Sequence, residues 1–281
     1  MLQITKRLLI TGGSTGLGKA LAMCWAQHAQ QQAIDLKICI ADINEERGKE
    51  TEAQLNQLGV AAFYQHCDIT QLSDIHALQT AIKDRWQGVD IVINNAGVAT
   101  GGSLTSEPLS QWKWVFDINL FGMVQMCQVF VEDFRAQGSG HFINIASQAG
   151  ITPIPLMSSY NAVKSAVVAF SETLRLELAM DNIDVSVVCP SFFKTHLDES
   201  LENSDPMAKE MVRYFFSKAQ VTAQDVAEYV YQHANKGRFM IVTHKEGRRA
   251  FNMKRFLPNK WYLNQVAKAT RKLVLKARKQ Q

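Results

Sequence analysis

The chain has 281 residues, 47% of them hydrophobic and 20% charged, and a formal net charge of +4 at pH 7. That composition is that of an ordinary globular protein, with ample material for a core. Its five cysteines are widely separated, with no metal-ligand or redox-motif spacing, so a reducing compartment and no metal site are expected. No run approaches the ~20 continuous apolar residues that span a bilayer, and the N-terminus lacks a signal-peptide pattern. A cytoplasmic protein, at most peripheral to a membrane, is the expectation. The charge is uneven: residues 1–247 carry 19 Lys and Arg against 26 Asp and Glu, whereas 248–281 carry 11 Lys and Arg and no acid.

In chain order, short β-branched runs alternate with longer stretches of helical spacing. The runs 8–11, 37–41, 62–66, 91–94 and 141–146 read as buried parallel strands, and 184–189 and 239–243 add two more. Between them, 19–30, 45–58, 73–86, 111–136 and 158–180 read as helices. Strand–helix alternation implies right-handed crossovers and an α/β fold, a doubly wound parallel sheet of about seven strands covered on both faces. Residues 1–247 form one domain on this reading, and 248–281 a basic extension. Residues 191–221 read as a long loop with exposed-looking aromatics (Phe192, Phe193, Tyr214, Phe215 and Phe216), a candidate lid. Thr222 with Asp225 reads as a capping box opening the next helix.

The first strand runs into Thr11-Gly12-Gly13-Ser14-Thr15-Gly16-Leu17-Gly18, followed directly by a helix. Glycines at 12, 16 and 18 allow a sharp turn, and a backbone close enough for a pyrophosphate to rest on the helix N-terminus. A glycine-rich turn without a ligand would look the same, though the strand-before, helix-after context disfavours it. Asp42, ending the second strand, stands 24 positions beyond Gly18, near the offset at which an acid accepts hydrogen bonds from an adenosine ribose. A solvated acid at a strand end is the plainer alternative. A carboxylate repels a 2′-phosphate, and Gly13, Ser14, Thr15 and Ile43 offer no positive charge, so NAD is expected over NADP.

Tyr160-Asn161-Ala162-Val163-Lys164 puts a phenol and an ammonium four apart on one helix face. A free phenol, with a pKa of ~10, is a poor base at neutral pH, and a neighbouring cation is expected to lower that value. Taken alone the pair is equally a core tyrosine beside a surface lysine. Ser147 after the fifth strand, Asn94-Asn95-Ala96-Gly97 at the end of the fourth, Asp68-Ile69 after the third and Asn119 amid apolar helix neighbours narrow the choice.

With these residues in place, the sequence resembles the short-chain dehydrogenase/reductase family, single-domain branch, over about residues 5–245. The family's Thr-Gly-x-x-x-Gly-x-Gly loop matches Thr11 to Gly18, its Asn-Asn-Ala-Gly element matches Asn94 to Gly97, and its Asn–Ser–Tyr–Lys tetrad matches Asn119, Ser147, Tyr160 and Lys164. The resemblance implies an NAD-dependent oxidoreductase, an alcohol dehydrogenase or carbonyl reductase with Tyr160 as general acid/base. It implies that Gly12, Ser14, Thr15, Gly16, Leu17 and Gly18 cradle the cofactor phosphates. Asp68 and Ile69 would border the adenine, and Asn95, Ala96 and Gly97 would line the ribose. Lys164 would hold the nicotinamide ribose, Asn119 would anchor a water leading protons from it, and Pro190 and Thr195 would lie near the carboxamide. Ser191 stands where the family usually has glycine, which loosens the last two assignments. A homodimer or homotetramer through the helices 111–136 and 158–180 is also implied.

Val98, Gln148, Ile154, Pro155, Met157, Phe192 and Phe193 are expected to face the substrate, a mostly apolar wall suited to a hydrophobic alcohol or carbonyl compound; the same residues would serve to pack a hinge. After Pro258, the residues Trp261, Tyr262, Val266, Ala269, Leu273 and Ala277 recur at helical spacing amid basic ones. That pattern suits weak membrane-surface contact through 256–281, or a cap, a subunit contact or a solvated helix. No nucleic-acid partner is expected, because no recognition motif accompanies the charge. The class alternatives are a non-catalytic NAD sensor and a protein acting through its tethered tail.

Overall fold

The strands of the sequence pattern assemble into one parallel sheet in the order β3-β2-β1-β4-β5-β6-β7 in the computed structural model, which describes residues 5–193, 200, 201 and 205–278. The strands are β1 (Thr5–Thr11), β2 (Asp35–Asp42), β3 (Ala61–His66), β4 (Ile91–Asn94), β5 (Gly140–Ile145), β6 (Ile183–Cys189) and β7 (Met240–Val242). The chain winds outward from β1 to β3 and then returns to lay β4 on the other side of β1. The strand order therefore reverses between β1 and β4, the place where open α/β sheets bind ligands. The register pairs Thr11 with Ala41, Ile10 with Ile93 and Asn94 with Asn144, which brings the strands' C-terminal ends to one edge.

Every residue of β4 is buried, as a central parallel strand requires. One face of the sheet is covered by α1 (Gly16–Gln32), α2 (Glu45–Gln57) and α9 (Ala223–Ala234), with Leu21, Trp25, Leu55 and Val230 packed against Ile38, Ile40 and Ile241. The other face is covered by α3 (Leu72–Trp86), α5 (Met123–Gln137) and α7 (Ser158–Glu177), where Leu78, Phe130, Phe134 and Val167 meet Val92, Phe142 and Val185. Phe134 and Phe142 lie ring to ring at 4.7 Å. All five cysteines are buried free thiols in this packing. Between α1 and α9, Cys24 Sγ and His28 Nε2 lie 3.5 and 2.8 Å from the same Glu228 oxygen, a grouping of distant residues that cysteine spacing alone does not show.

Three features differ from the expectations. Residues 191–221 are not one loop, because they contain α8 (Pro206–Lys218), opened by an Asp205 side chain that accepts from Met207 N and by a proline in the first turn, where no N–H is needed. The boundary at 247/248 falls inside α10 (Lys245–Phe256), whose Phe251 packs on the core; α11 (Asn259–Arg278) follows it as the expected basic helix. The long central helix divides into α4 (Leu109–Phe116), a π-helical turn Asp117–Gly122, and α5. By length and composition Leu109–Gln137 is apolar enough to cross a membrane. Its Met123, Met126, Phe130 and Phe134 are instead buried in the core, which accounts for the apolar composition. The capping box forms as read, Thr222 and Asp225 exchanging side-chain and backbone bonds.

Candidate active site

A cleft of about 1540 Å³ runs along the C-terminal edge of the sheet across the switch point. Its floor begins at the turn after β1. Gly12 and Gly16 take positive φ, 61° and 53°, where a side chain would be strained. Thr15 precedes α1 with no side-chain cap, so no side chain of the cap residue satisfies the helix's first N–H groups. A Cβ on Gly12 would lie 2.8 Å from Ala96 Cα, and one on Gly18 only 2.1 Å from Gly12 O. The turn is thus packed backbone against backbone, and its open side is a cradle of amides and glycines that fits a dinucleotide pyrophosphate.

The walls explain why this turn keeps its shape. Thr11 Oγ1 accepts from Asn95 N at 3.0 Å and Ala96 N at 3.1 Å, and Asn95 Nδ2 donates to Thr11 O at 3.0 Å and Gly12 O at 2.9 Å. The Asn95 side chain therefore ties β4 to the loop, while Ala96 and Gly97 line the cleft beside it. At the far end Asp42 accepts from Ser14 N at 3.1 Å and from Asn44 N at 3.0 Å. Asp68 and Ile69 border the same end. So does Arg47, one turn into α2, a positive side chain that lies outside the glycine loop and is brought to this end only by the fold.

The reacting end lies where β5 and α7 meet. Ser147 caps α6 (Gln148–Ile151), its hydroxyl accepting from Ala149 N at 3.1 Å, and lines the cleft together with the buried Tyr160. Lys164 Nζ stands 5.8 Å from the Tyr160 ring centre and donates to Ile145 O at 3.0 Å. Three members of the expected tetrad thus share one wall. Asn119 does not line the cleft: it is fully buried in the π-helical turn, accepting from Val98 N and donating to Val98 O, both at 2.8 Å. Its carboxamide fixes the strand-end segment 97–98 against Lys164, since a Cβ on Gly97 would meet Asn119 Oδ1 at 2.9 Å and Lys164 Nζ at 3.6 Å.

The proton affinities run against the simple expectation for the pair. Burial pushes Tyr160 up to about 12, with the Ser147 side chain acting in the opposite direction, so in the chain alone the Lys164 ammonium does not bring the phenol toward neutrality. Desolvation outweighs a cation whose proton is already directed at a β5 carbonyl. Burial likewise lowers Lys164 from 10.5 to about 8. An amine that binds its proton less tightly when folded takes up fewer protons than the unfolded chain between these two values. Its cost to stability is therefore full below about 8 and fades as pH rises toward 10.5. The Tm of Lys164→Met, relative to the unmodified chain, is expected to be highest near about pH 7 and to lose ground toward ~10; a difference constant with pH would contradict this.

Beyond the tyrosine, Val98, Ile154, Met157, Phe192, Phe215 and Phe216 give the cleft an apolar wall, with Phe192 stacked on Phe215 at 4.8 Å. Gln148, Phe193 and Pro190 also line it, whereas Pro155 and Gly18 do not. Phe215 and Phe216 enter from α8, and His244 and Glu246 from the turn into α10; only the first two carried a signal, as aromatics in an otherwise polar stretch. Ser191 is not among the positive-φ residues, and its N–H donates to His244 Nδ1 at 3.2 Å, so serine is accommodated here without strain. Thr195 lies outside the described residues.

A sheet of this order, with a glycine-cradled switch point and a Ser–Tyr–Lys wall, defines a class of dinucleotide-binding oxidoreductase. The model of the short chain dehydrogenase family matches residues 6–206, and the chain belongs to the short-chain dehydrogenase/reductase family. An uncharacterized oxidoreductase of Staphylococcus epidermidis is 29% identical over 80% of this chain and 89% of its own length. A putative ketoacyl reductase of Streptomyces coelicolor is 28% identical over 83% of this chain and 84% of its own. Among solved structures, a short chain dehydrogenase/reductase from Burkholderia phymatum in complex with NAD has a TM-score of 0.83 and 27% identity, covering 91% of this chain and 94% of that one. A short-chain dehydrogenase from Sphingobium yanoikuyae in complex with NADPH shares the fold at a TM-score of 0.73 and 23% identity, covering 89% of this chain and 93% of that one. Structural relatives therefore bind either nicotinamide cofactor.

Proposed function

We propose that the protein interconverts an alcohol and a carbonyl on a hydrophobic substrate, using NAD(H), with Tyr160 as the general acid/base. The observation that carries this reading is the convergence of Ser147, Tyr160 and Lys164 on one wall of the cleft that begins at the glycine cradle. The nicotinamide cofactor, when bound, supplies or accepts the hydride. Everything else falls to side chains of this chain. In reduction, the Ser147 and Tyr160 hydroxyls donate to the substrate carbonyl oxygen and draw off its developing charge. Tyr160 then gives up its proton to that oxygen, and the ammonium of Lys164 stabilises the phenolate left behind. Oxidation reverses each step, with Tyr160 taking the alcohol proton. The fit of the apolar wall to a hydrophobic substrate is supported by the kinship with a putative ketoacyl reductase.

The preference for NAD rests on Asp42. Its carboxylate, held against the loop by Ser14 N, is placed to accept from ribose hydroxyls and to repel a 2′-phosphate. Hydrogen bonds to a charged group are worth roughly 1.5–3 kcal/mol. Asp42→Ala is therefore expected to lower the ratio of NAD to NADP specificity by ~10-fold or more. Initial rates with each cofactor measure this, and an unchanged ratio would remove Asp42 from the account. Turnover of a panel of secondary and long-chain alcohols, followed by NADH absorbance, tests the reading as a whole.

A further inference from the structure

The C-terminal helices present a surface that the redox site does not use. On its inner side α10 is fixed: Arg248 donates to Val242 O and Thr243 O at 3.0 and 2.9 Å, and Lys254 Nζ to Ile151 O at 2.7 Å. On α11, Tyr262 is buried and Val266 is half-buried, which sets the helix's inward edge; the side chains of Leu273 and Ala277, two members of the stripe read from the sequence, lie outside the described ones. Outward, Phe256 at the end of α10 is exposed at 76%. Trp261, Lys268, Lys272 and Leu275 follow at intervals of seven, four and three, which places them on one face, and all four are exposed. Arg271 beside them is exposed as well.

We propose that this face docks the protein onto an anionic phospholipid bilayer. Charge selects the partner, since from 248 onward the chain has 11 Lys and Arg and no acid, on a body whose balance is negative. The apolar members select a bilayer over a nucleic acid. A polyanion groove gains nothing from Phe256, Trp261 or Leu275, whereas an interface admits their side chains among acyl chains while Lys and Arg pair with headgroup phosphates. Trp261, at the first turn of α11, is amphipathic in the way that suits headgroup depth. Helix α10 starts at the cleft wall, where Glu246 lines it, and ends at Phe256, so it links the site to the docking face. The proposal stands independently of the redox reading.

The test is co-sedimentation of the full-length protein with phosphatidylcholine vesicles containing phosphatidylserine, against pure phosphatidylcholine vesicles. Binding to the anionic vesicles alone is expected, weakened ~10-fold or more between about 0.1 and 0.5 M salt. The Lys268→Glu/Arg271→Glu/Lys272→Glu variant and the Phe256→Ser/Trp261→Ser variant are each expected to lose binding by at least ~10-fold, at an unchanged Tm because the altered side chains are exposed. Equal pelleting with both vesicles, or charge-reversed protein that binds as before, would overturn the proposal. So would retention on duplex DNA without vesicle binding, or a Phe256→Ser/Trp261→Ser variant that dissociates a dimer while still binding vesicles.

Discussion

Tyr160→Phe is expected to lower kcat by ~10³-fold or more while leaving NADH affinity within about twofold. The substitution removes only the hydroxyl. The ring is buried, and phenylalanine fills the same space against Val163 and Met157, so the fold has no reason to change. What disappears is the hydroxyl that gives and takes the proton in the proposed mechanism, while Ser147, whose hydroxyl accepts from Ala149 N, stays in place. The two measurements are initial rates and the quenching or enhancement of NADH fluorescence on titration. A variant retaining near-native turnover would mean that proton transfer is handled elsewhere. A variant that also loses NADH binding would mean that the hydroxyl is a cofactor contact first.

Gly18→Ala is the second large effect, and it strikes the cradle. The added Cβ would stand 2.1 Å from Gly12 O and 2.6 Å from Asn95 Nδ2, and both neighbours are fixed. Gly12 N donates to Ala41 O at 2.8 Å, and Asn95 Nδ2 already holds two loop carbonyls. Relief requires the loop to leave β4, giving up hydrogen bonds worth ~1 kcal/mol each. A loss of about 2–3 kcal/mol in unfolding free energy is expected, with NADH affinity down by ~10–100-fold. Urea unfolding and NADH titration measure the two. Native values of both would show that the loop accommodates a methyl group the geometry excludes.

What the sequence made legible were the residues whose position in a strand–helix alternation fixes their place in space. A residue that ends a parallel strand comes to the C-terminal edge of the sheet, so Gly12, Asp42, Asp68, Ala96, Ser147 and Pro190 fall around one cleft once the strand order is known. The spacing of Tyr160 and Lys164 on α7 does the same within a helix. Less legible were contacts made only by folding. Asn95 reads as a ribose contact, and it does line the cleft, but the pairing of β1 with β4 also turns its Nδ2 onto Thr11 O and Gly12 O, a structural role its position alone does not reveal. Asn119 is likewise turned to the backbone of Val98 by a π-helical turn that no periodicity announces.

Helices α8 and α10 are hidden in the sequence for a different reason. Within 191–221 the start signals of α8, Asp205 followed by Pro206, were present, yet aromatic composition suggested a loop. A boundary placed by charge at 247 cut α10, although Glu246 in its first turn and Lys254 and Arg255 in its last complement the helix dipole. The acidity of Tyr160 was beyond the sequence for a physical reason. Spacing reveals the neighbouring cation but not the burial that outweighs it.

The most direct measurement of the central claim is absorbance at the NADH band when the purified protein meets NAD⁺ and a panel of secondary and long-chain alcohols. Growth of that band in the presence of an alcohol, and its absence with Tyr160→Phe, is the result the geometry predicts. Binding of NADH with no turnover of any alcohol, or of any matching ketone or aldehyde in the reverse direction, would contradict it and turn the Ser147–Tyr160–Lys164 wall into part of a sensor.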